Sequence, residues 1–403
     1  MNQKKILISG ASIAGPTLAF WLNRFGFAAT IVERADSLRL GGQNIDIKGA
    51  AQKIAQLMGI EDEIRAADTG ELGVRFVDEY DNTKAELPKG ESNIGTSELE
   101  ILRGDLAQIL YNHTKEDVEY IFGNQIVSLN EFEAGVRVQF QKGEERVFDL
   151  VICADGIRSR TRSLIFGDEP VIRFLNLYVS YFTIPKTPSD SRWARWYNAP
   201  NSRVVFIRPD NVGTTRASFS FLSEPKGYEK LSVAEQKAIL KEKFADAGWE
   251  ASRILAELDN NTDIYFDGIS QVIAPSWSKG RCAMTGDAAF CPSPLSGMGA
   301  SLSMVGAYIL AGELSRHSDH KEAFAAYEKL LRPYVNEIQK LPPGVPHLAH
   351  PKSKFGIKIF NTAINIISSN LVRGIGKLFS NKNKLPTDDT IVLPEYWKAA
   401  LEV

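Results

Sequence analysis

The chain has 403 residues, 44% of them hydrophobic and 24% charged, the composition of a globular protein of two or three domains. Its net charge of −2 gives no general argument for nucleic acid, and it contains no run of about 18 apolar residues that would cross a membrane. Three cysteines without metal-ligand spacing (Cys153, Cys282, Cys291) and only five histidines argue against a disulfide framework or a metal centre, and fit a reducing, cytoplasmic setting.

Residues 5–34 read KILISGASIAGPTLAFWLNRFGFAATIVER. The apolar run Ile6–Ile8 is too short for a signal-peptide core and leads straight to Gly10. The pattern then predicts a helix from about Ala14 to Phe25 and a second strand from Ala28 to Val32, closed by Glu33. This is a β-α-β unit with a turn suited to a dinucleotide. Gly10 permits the tight turn, Gly15 lets helix and strand pack closely, and Pro16 suits the first helical turn. Amides at the helix N-terminus would face a pyrophosphate, and Glu33 could accept hydrogen bonds from ribose hydroxyls. Ser12 stands where the G-x-G-x-x-G pattern has its second glycine, and its hydroxyl could donate to phosphate. Gly10, Ser12, Ile13, Ala14, Glu33 and Arg34 are the candidate contacts of this unit.

LRLGGQNIDIKG (38–49) reads as a loop, followed by an amphipathic helix from about Ala51 to Met58. Residues 73–88 look like paired strands turning at DEYDN (78–82), and a helix is expected over 98–117. Residues 118–152 read as a β-meander whose last run, VFDLVICA, looks like a buried parallel strand returning to the first sheet and ending at Asp155-Gly156. From about 171 to 272 aromatics rise and alternating strands recur, with helices near 232–246 and 250–258; this looks like a second domain. A short strand over 280–285 ends at Gly286-Asp287, and helices follow from about Ala300 to Glu313 and His320 to Gln339. Between Ile338 and Thr387 there are eight basic residues and no acidic ones, while Phe360, Ile364, Ile367, Leu371, Ile375 and Leu378 recur at helical spacing. That segment reads as a helical cover packed on the body, a membrane-surface helix, or a partner site.

Two further motifs carry chemistry. ADGIRSRTR (154–162) contains D-G-x-x-S-x-x-R, formed by Asp155, Gly156, Ser159 and Arg162. GDAAFCPSPLSGMG (286–299) places Asp287 after a short strand and Gly297 and Gly299 before a helix, leaving room for a flat ring against backbone. In order and separation, the three motifs resemble those of the single-component FAD-dependent aromatic hydroxylases, the group that includes para-hydroxybenzoate hydroxylase. The resemblance runs from about residue 5 to 340. It implies an α/β (α+β) fold with a Rossmann-like FAD-binding domain, an inserted mixed-sheet substrate domain and a C-terminal helix. The corresponding segments are 1–72, 98–170 and 273–340 for FAD, 73–97 and 171–272 for substrate, and 341–403 for the C-terminal part.

The resemblance implies FAD as cofactor, with Glu33 at the adenosine ribose and Asp287 at the ribityl-pyrophosphate region. It puts Asp155 between FAD and a transient nicotinamide, Arg103 (in EILRGDL) near the ribityl chain, and Pro294, Gly297, Met298, Gly299 and Ala300 beside the isoalloxazine. GGQNIDIKG (41–49), EILRGDL (100–106), CPSPLSGMG (291–299) and VGAYILAGEL (305–314) are similar to stretches of the tetracycline-inactivating flavin monooxygenases, which implies Arg39 and Asp46 in the cofactor region. Met298, Ala300-Ser301 and Phe290 stand where many relatives have glutamine, asparagine and histidine. The implied reaction consumes NADPH or NADH and O2 and places oxygen on an electron-rich ring or enol carbon. The cofactor carries that chemistry, so no residue of the chain is assigned as catalytic and no metal is expected. Trp193, Trp196 and Phe206 are the candidates to line the substrate cavity. The substrate stays open between a tetracycline, another aromatic polyketide and a phenol. Competing readings are a flavin halogenase or dehydrogenase, a flavin-free dehydrogenase and a non-catalytic flavin-binding protein. A monomer acting on a small molecule, without nucleic acid or a transmembrane segment, is expected.

Overall fold

The computed structural model describes residues 3–90, 96–261, 264–368 and 391–401. A six-stranded sheet forms its base, in the order Ser278–Lys279, Cys282–Met284, Leu150–Cys153, Lys5–Ser9, Ala28–Glu33, Glu119–Phe122. All neighbours are parallel except the short edge strand Ser278–Lys279. The strands are apolar runs because both faces are covered: Ile6, Leu7, Ile8, Val151 and Ile152 are fully buried. On one face lie the helices Ala14–Arg24, Ala50–Met58 and Gly299–Arg316. On the other lies the antiparallel meander Ile126–Phe132, Gly135–Phe140, Arg146–Phe148.

This strand order decides where chemistry can occur. Gly10, Glu33, Asp155 and Gly286-Asp287 each sit at or just past the C-terminal end of one of four adjacent parallel strands. In open α/β sheets that edge is where ligands bind.

A second sheet of seven strands runs Tyr265–Ile273, Val171–Pro185, Thr214–Leu222, Arg203–Pro209, Ala194–Ala199, Gly73–Val77, Thr83–Pro88. It is antiparallel save for the pair Ala194–Ala199 and Gly73–Val77. One face carries Tyr178, Phe182, Tyr197, Val205, Phe219 and Phe221. They pack on the helices Val233–Phe244 and Ala251–Leu258 through Leu240, Phe244, Ile254 and Leu258. Phe219 and Phe244 stack with ring centroids 4.2 Å apart. Because side chains alternate along a strand, the opposite face is a separate surface carrying Phe76, Trp196, Phe206, Arg208, Arg216, Ser218, Tyr181 and Asp267.

Three expected elements differ, the first being the 38–49 loop, in which Asn44–Asp46 is a strand. The stretch 98–117 is not one helix: Glu100–Leu102 is a strand paired antiparallel with Asn44–Asp46, and the helix runs only Arg103–Asn112. A three-residue strand has no periodicity of its own, and it is its partner across the chain that makes it extended. Residues Glu119–Phe122 leave the expected meander to become the edge strand beside Ala28–Glu33.

The C-terminal helix runs Lys354–Ser368; Leu371, Ile375 and Leu378 of the expected pattern lie outside the described residues. Phe360 and Ile364 pack against Phe76, Ala85, Leu87 and Trp196. Phe355, Ile359, Ile366 and Ile367 are exposed. Farther on, Tyr396 is buried against Gly312, where a Cβ would lie 2.2 Å from its ring. Its hydroxyl donates to Glu313, Tyr308 donates to the Pro394 carbonyl at 2.7 Å, and Arg316 lies over the Tyr396 ring. Gly312→Ala should expel Tyr396 and cost on the order of 2–4 kcal/mol, the scale of losing a buried aromatic. Thermal unfolding and proteolysis within 391–401 measure this; an unchanged midpoint would show that the docking contributes nothing.

Candidate FAD site

The dinucleotide-type turn is built on contacts that only glycine allows. Gly10 has φ +109°, and a Cβ there would meet the Ala154 carbonyl oxygen at 2.5 Å. A Cβ on Gly15 would lie 1.9 Å from the Gly10 oxygen. The first motif is thus pressed directly on the strand end that leads into Asp155. A Cβ on Gly286 would meet that of Ala14 at 2.8 Å, which brings the third motif to the same point. The helix Ala14–Arg24 begins without a side-chain cap, so its N-terminal end offers backbone donors and partial positive charge.

Glu33 does more than end its strand. Its Oε2 accepts from the Ala11 amide at 3.0 Å and its Oε1 from the Ala35 amide at 2.9 Å. The carboxylate is fixed by the turn it serves, and each oxygen retains a lone pair. Ser12 Oγ accepts from Arg103 Nη1 at 3.0 Å, so the residue that replaces a glycine anchors an arginine and can still donate. The same guanidinium donates to the carbonyls of Arg39, at 2.7 Å, and Gly41. Arg103 therefore ties the loop after the second strand to the dinucleotide turn. The side chains of Arg34 and Arg39 are themselves exposed.

At the second motif, Asp155 accepts from the hydroxyls of Ser159 and Thr161 and from the Thr161 amide. Burial raises its pKa. Ser159 also caps its helix, accepting from the Arg162 amide at 2.8 Å. Arg162 is buried and donates to the Ala288 carbonyl at 2.9 Å, which pins the second motif to the third. Asp287 is half-buried, and its pKa is pushed up to about 6 by desolvation. One of its oxygens lies 3.9 Å from where a Gly299 Cβ would stand. Ser301 Oγ accepts from the Lys48 amide at 2.9 Å and donates to the Asp46 carbonyl at 3.2 Å, so the 41–49 loop is held against the start of the helix Gly299–Arg316. Pro294, Gly297 and Met298 form the turn into that helix, Gly297 at φ +63°. Phe290 is a core residue, its ring tilted against Trp277 with centroids 4.8 Å apart.

Leu295 in this turn packs against the cluster Leu177, Val179 and Ile269 on the open face of the seven-stranded sheet, as Tyr181 does. The glycine turn and that face thus meet. Trp196 and Phe206 are register partners there, with ring centroids 5.3 Å apart. Trp193 is not with them: it lies before the strand, with the Arg75 guanidinium 4.4 Å from its ring centroid. No helix among the described residues is long and apolar enough to cross a membrane, and no cluster of His, Cys, Asp and Glu among them could hold a metal.

Residues 3–341 match the model of the FAD binding domain family. A flavin-dependent monooxygenase from an unknown prokaryotic organism is 43% identical over 342 residues, 84% of this chain and 88% of the relative. The chain belongs to the flavin-dependent monooxygenases. A second such enzyme, from Legionella longbeachae serogroup 1 (strain NSW150), is 42% identical over 83% of this chain and 87% of its own length. Among solved structures, the tetracycline destructase Tet(55) is 37% identical with a TM-score of 0.81, covering 98% of this chain and 99% of that one.

FAD is the enzyme's cofactor, and the chain's own features fit it: a glycine cradle that any Cβ would fill, an uncapped helix start and a carboxylate fixed at the second strand's end. Sequence reasoning passed over Lys48, Ser97 and Leu295, although Lys48 stands inside GGQNIDIKG, and it named Ser301 only as a departure from relatives. It quoted Arg162 within a motif without assigning it a role.

Two outcomes are expected. Glu33→Ala removes charge-assisted hydrogen bonds worth roughly 1.5–3 kcal/mol each and leaves the Ala11 and Ala35 amides unpaired. FAD affinity should fall at least roughly ten-fold and the apoprotein should melt lower; weaker FAD binding with an unchanged apoprotein midpoint would mean the turn does not need Glu33. The second outcome concerns pH. Ionised Asp287 is the better acceptor for a cofactor hydroxyl, so FAD binding should displace its proton. Affinity should then fall as pH drops through about 6 and be flat above it. Asp287→Asn should remove that slope, and a slope that persists would assign the titration elsewhere.

Proposed function

We propose that the enzyme uses a dihydronicotinamide and O2 to oxygenate a flat polycyclic substrate, and that a tetracycline is such a substrate. The observation that carries this reading is the likeness to Tet(55) across 98% of the chain. When bound, FAD supplies the redox and oxygen-transfer chemistry. The chain's part is binding, orientation and exclusion of water. Gly10, Ser12, Ile13 and Ala14 would hold the pyrophosphate at the helix start, Glu33 the adenosine ribose, and Arg34 and Arg39 the outer edge of that half. Arg103, Asp46 and Asp287 would position the central part, with Asp155 at its inner side. Pro294, Gly297, Met298, Gly299 and Ala300 would form the bed for the ring.

On this reading 1–72, 98–170 and 273–340 serve the cofactor, while 73–97 and 171–272 serve the substrate. The pairing of Gly73–Val77 with Ala194–Ala199 in one sheet supports that grouping. Trp196 and Phe206 face the same surface as Tyr181, and Leu295 of the ring bed packs against the cluster Leu177, Val179 and Ile269 on that surface. A flat ligand could stack there within reach of the ring. Trp193 is a weaker candidate because Arg75 occupies its face. Phe360 and Ile364 support a cover role for the C-terminal helix.

The test is to incubate the FAD-loaded enzyme, NADPH or NADH and O2 with tetracycline and follow product mass. One added oxygen that requires the nicotinamide is expected. Trp196→Ala should raise the KM for tetracycline by roughly five-fold or more, the loss of an aromatic contact of about 1 kcal/mol, without changing FAD affinity. Nicotinamide oxidation that yields only hydrogen peroxide would remove tetracycline as substrate, and a panel of phenols and aromatic polyketides would then identify the class.

A further inference from the structure

One charged side chain near the proposed ring bed has no part in the reading above. Lys48 Nζ lies 3.5 Å from where a Cβ on Gly297 would stand. Its side chain is only 15% exposed, and a half-buried ammonium is costly unless its charge is answered. Asp46 answers part of it, with Oδ2 3.2 Å from Nζ. The other Asp46 oxygen is taken by the Ser97 amide at 2.9 Å and the Ser97 hydroxyl at 3.0 Å. An ammonium has three donors, and one carboxylate oxygen at this distance engages one of them.

The lysine is also fixed in place. Its amide donates to Ser301 Oγ, and Ser301 lies in the first turn of the 18-residue helix Gly299–Arg316. That turn has no side-chain cap and carries the helix's partial positive charge. Lys48 adds a full charge at the same end, 3.5 Å from the Gly297 position that precedes it. Two positive sources thus converge on one spot, tethered to each other through Ser301.

We infer that Lys48 is an electrostatic determinant of the flavin's redox balance: it selectively stabilises the reduced, anionic cofactor. This rests on the proposal that Gly297–Gly299 flank the ring. Taking up two electrons and one proton, as in hydride transfer from a dihydronicotinamide that leaves as the oxidised nicotinamide, turns the neutral ring into an anion. A cation held beside that ring lowers the energy of the product and leaves the oxidised form nearly unaffected. Asp46, beside the same ammonium, tempers the effect, so the two residues act in opposite senses.

The experiment measures the two-electron potential of the FAD-loaded full chain against a reference dye during dithionite reduction. An opposite charge within a few ångströms changes such an equilibrium roughly ten-fold or more. Lys48→Met should therefore lower the potential by about 30 mV or more, the equivalent of ten-fold for a two-electron couple. Lys48→Arg should largely restore it. Asp46→Asn can keep its bond from Ser97 but loses the counter-charge, so it should raise the potential. A merely structural role for the pair would move both variants in one direction, or move FAD affinity alone; either result overturns the inference, as do shifts below about two-fold in both. Where Lys48→Met holds FAD poorly, the dissociation constants of oxidised and reduced FAD replace the potential. The reduced form should weaken roughly ten-fold more than the oxidised one, and equal weakening overturns the inference. Wild-type protein that binds FAD normally while Lys48 and Asp46 variants leave the potential unchanged would defeat this inference alone, whereas failure of the wild type to bind FAD would defeat the reading beneath it.

Discussion

Everything at the site depends on how closely the first turn can approach its neighbours. Gly10 touches the Ala154–Asp155 backbone on one side and Gly15 on the other, at separations no Cβ would survive. The Gly10 amide donates to the Val32 carbonyl and the Ala154 amide to that of Ser9, both at 2.8 Å, so the turn is stitched to both adjoining strands. A bulkier residue would force apart three strand ends at once. The adjoining ends carry Glu33 and Asp155, and Gly286, just before Asp287, is pressed on Ala14 of the same turn, so the loss would reach all three motifs. Glycine stands where no Cβ fits, and the buried strands beneath supply the apolar burial that holds the turn in place.

A second constraint joins the two sheets. Arg208 projects from the open face of the seven-stranded sheet and donates to both oxygens of Glu71, at 2.8 and 3.0 Å. It also reaches Glu100, at 3.5 Å. Both carboxylates are essentially inaccessible, and Glu100 further accepts from Asn44 and Thr69. Burial raises the pKa of Glu100 and the repulsion of Glu71 adds to that, while the Arg208 charge opposes it. A buried cluster of this kind is a poor source of net stability but costly to break by removing one partner. Its effect is geometric: it ties the strand Glu100–Leu102, and through Asn44 the loop bearing Asp46 and Lys48, to the sheet that carries Trp196 and Phe206.

That link explains what could and could not be read in the sequence. The β-α-β unit, the returning strand before Asp155 and the helix after Gly299 were legible because each is local: an apolar run, a glycine and a helical period lie within about thirty residues. The three motifs could also be put in order, since a parallel sheet aligns the ends of its strands. The strand Glu100–Leu102 was not legible, because three residues carry no period and its partner lies far back in the chain. For the same reason Ser12 read only as a departure from a glycine pattern, with a hydroxyl that could donate to phosphate, and its role as the acceptor for Arg103 was not legible. Lys48 sat inside a quoted motif, yet its meaning comes from Gly297 and Ser301, some 250 residues later. Trp193 and Trp196 looked equivalent in W-A-R-W, but the strand begins at Ala194, so Trp193 lies before it under Arg75, and only Trp196 shares a face with Phe206.

On the proposed reading, the open face of the seven-stranded sheet would determine what the enzyme accepts, and its chemistry is mixed. Aromatic rings at Phe76, Trp196 and Phe206 give it area for a flat ligand, while Arg216, Ser218 and Asp267 lie on the same side. Asp267 is held by Arg158 from the second motif and by the Tyr265 hydroxyl at 3.0 Å, so its charge is balanced before any ligand arrives. At the far end, His350 is buried, with Nε2 2.8 Å from Ser220 Oγ and its ring edge toward Trp196. Burial depresses its pKa to about 4, so it stays neutral near pH 7 and adds a wall without adding charge. The chain then crosses this face as the C-terminal helix, whose Phe360 and Ile364 rest on Phe76 and Trp196. A surface with stacking area over its fourth to sixth strands and compensated charges over its first and third would suit a ligand with an apolar ring system and polar groups along its margin. A tetracycline has that form, and so do other polyketides. The discrimination among them would therefore lie with Arg216, Ser218 and Asp267, since the aromatic side would serve them all.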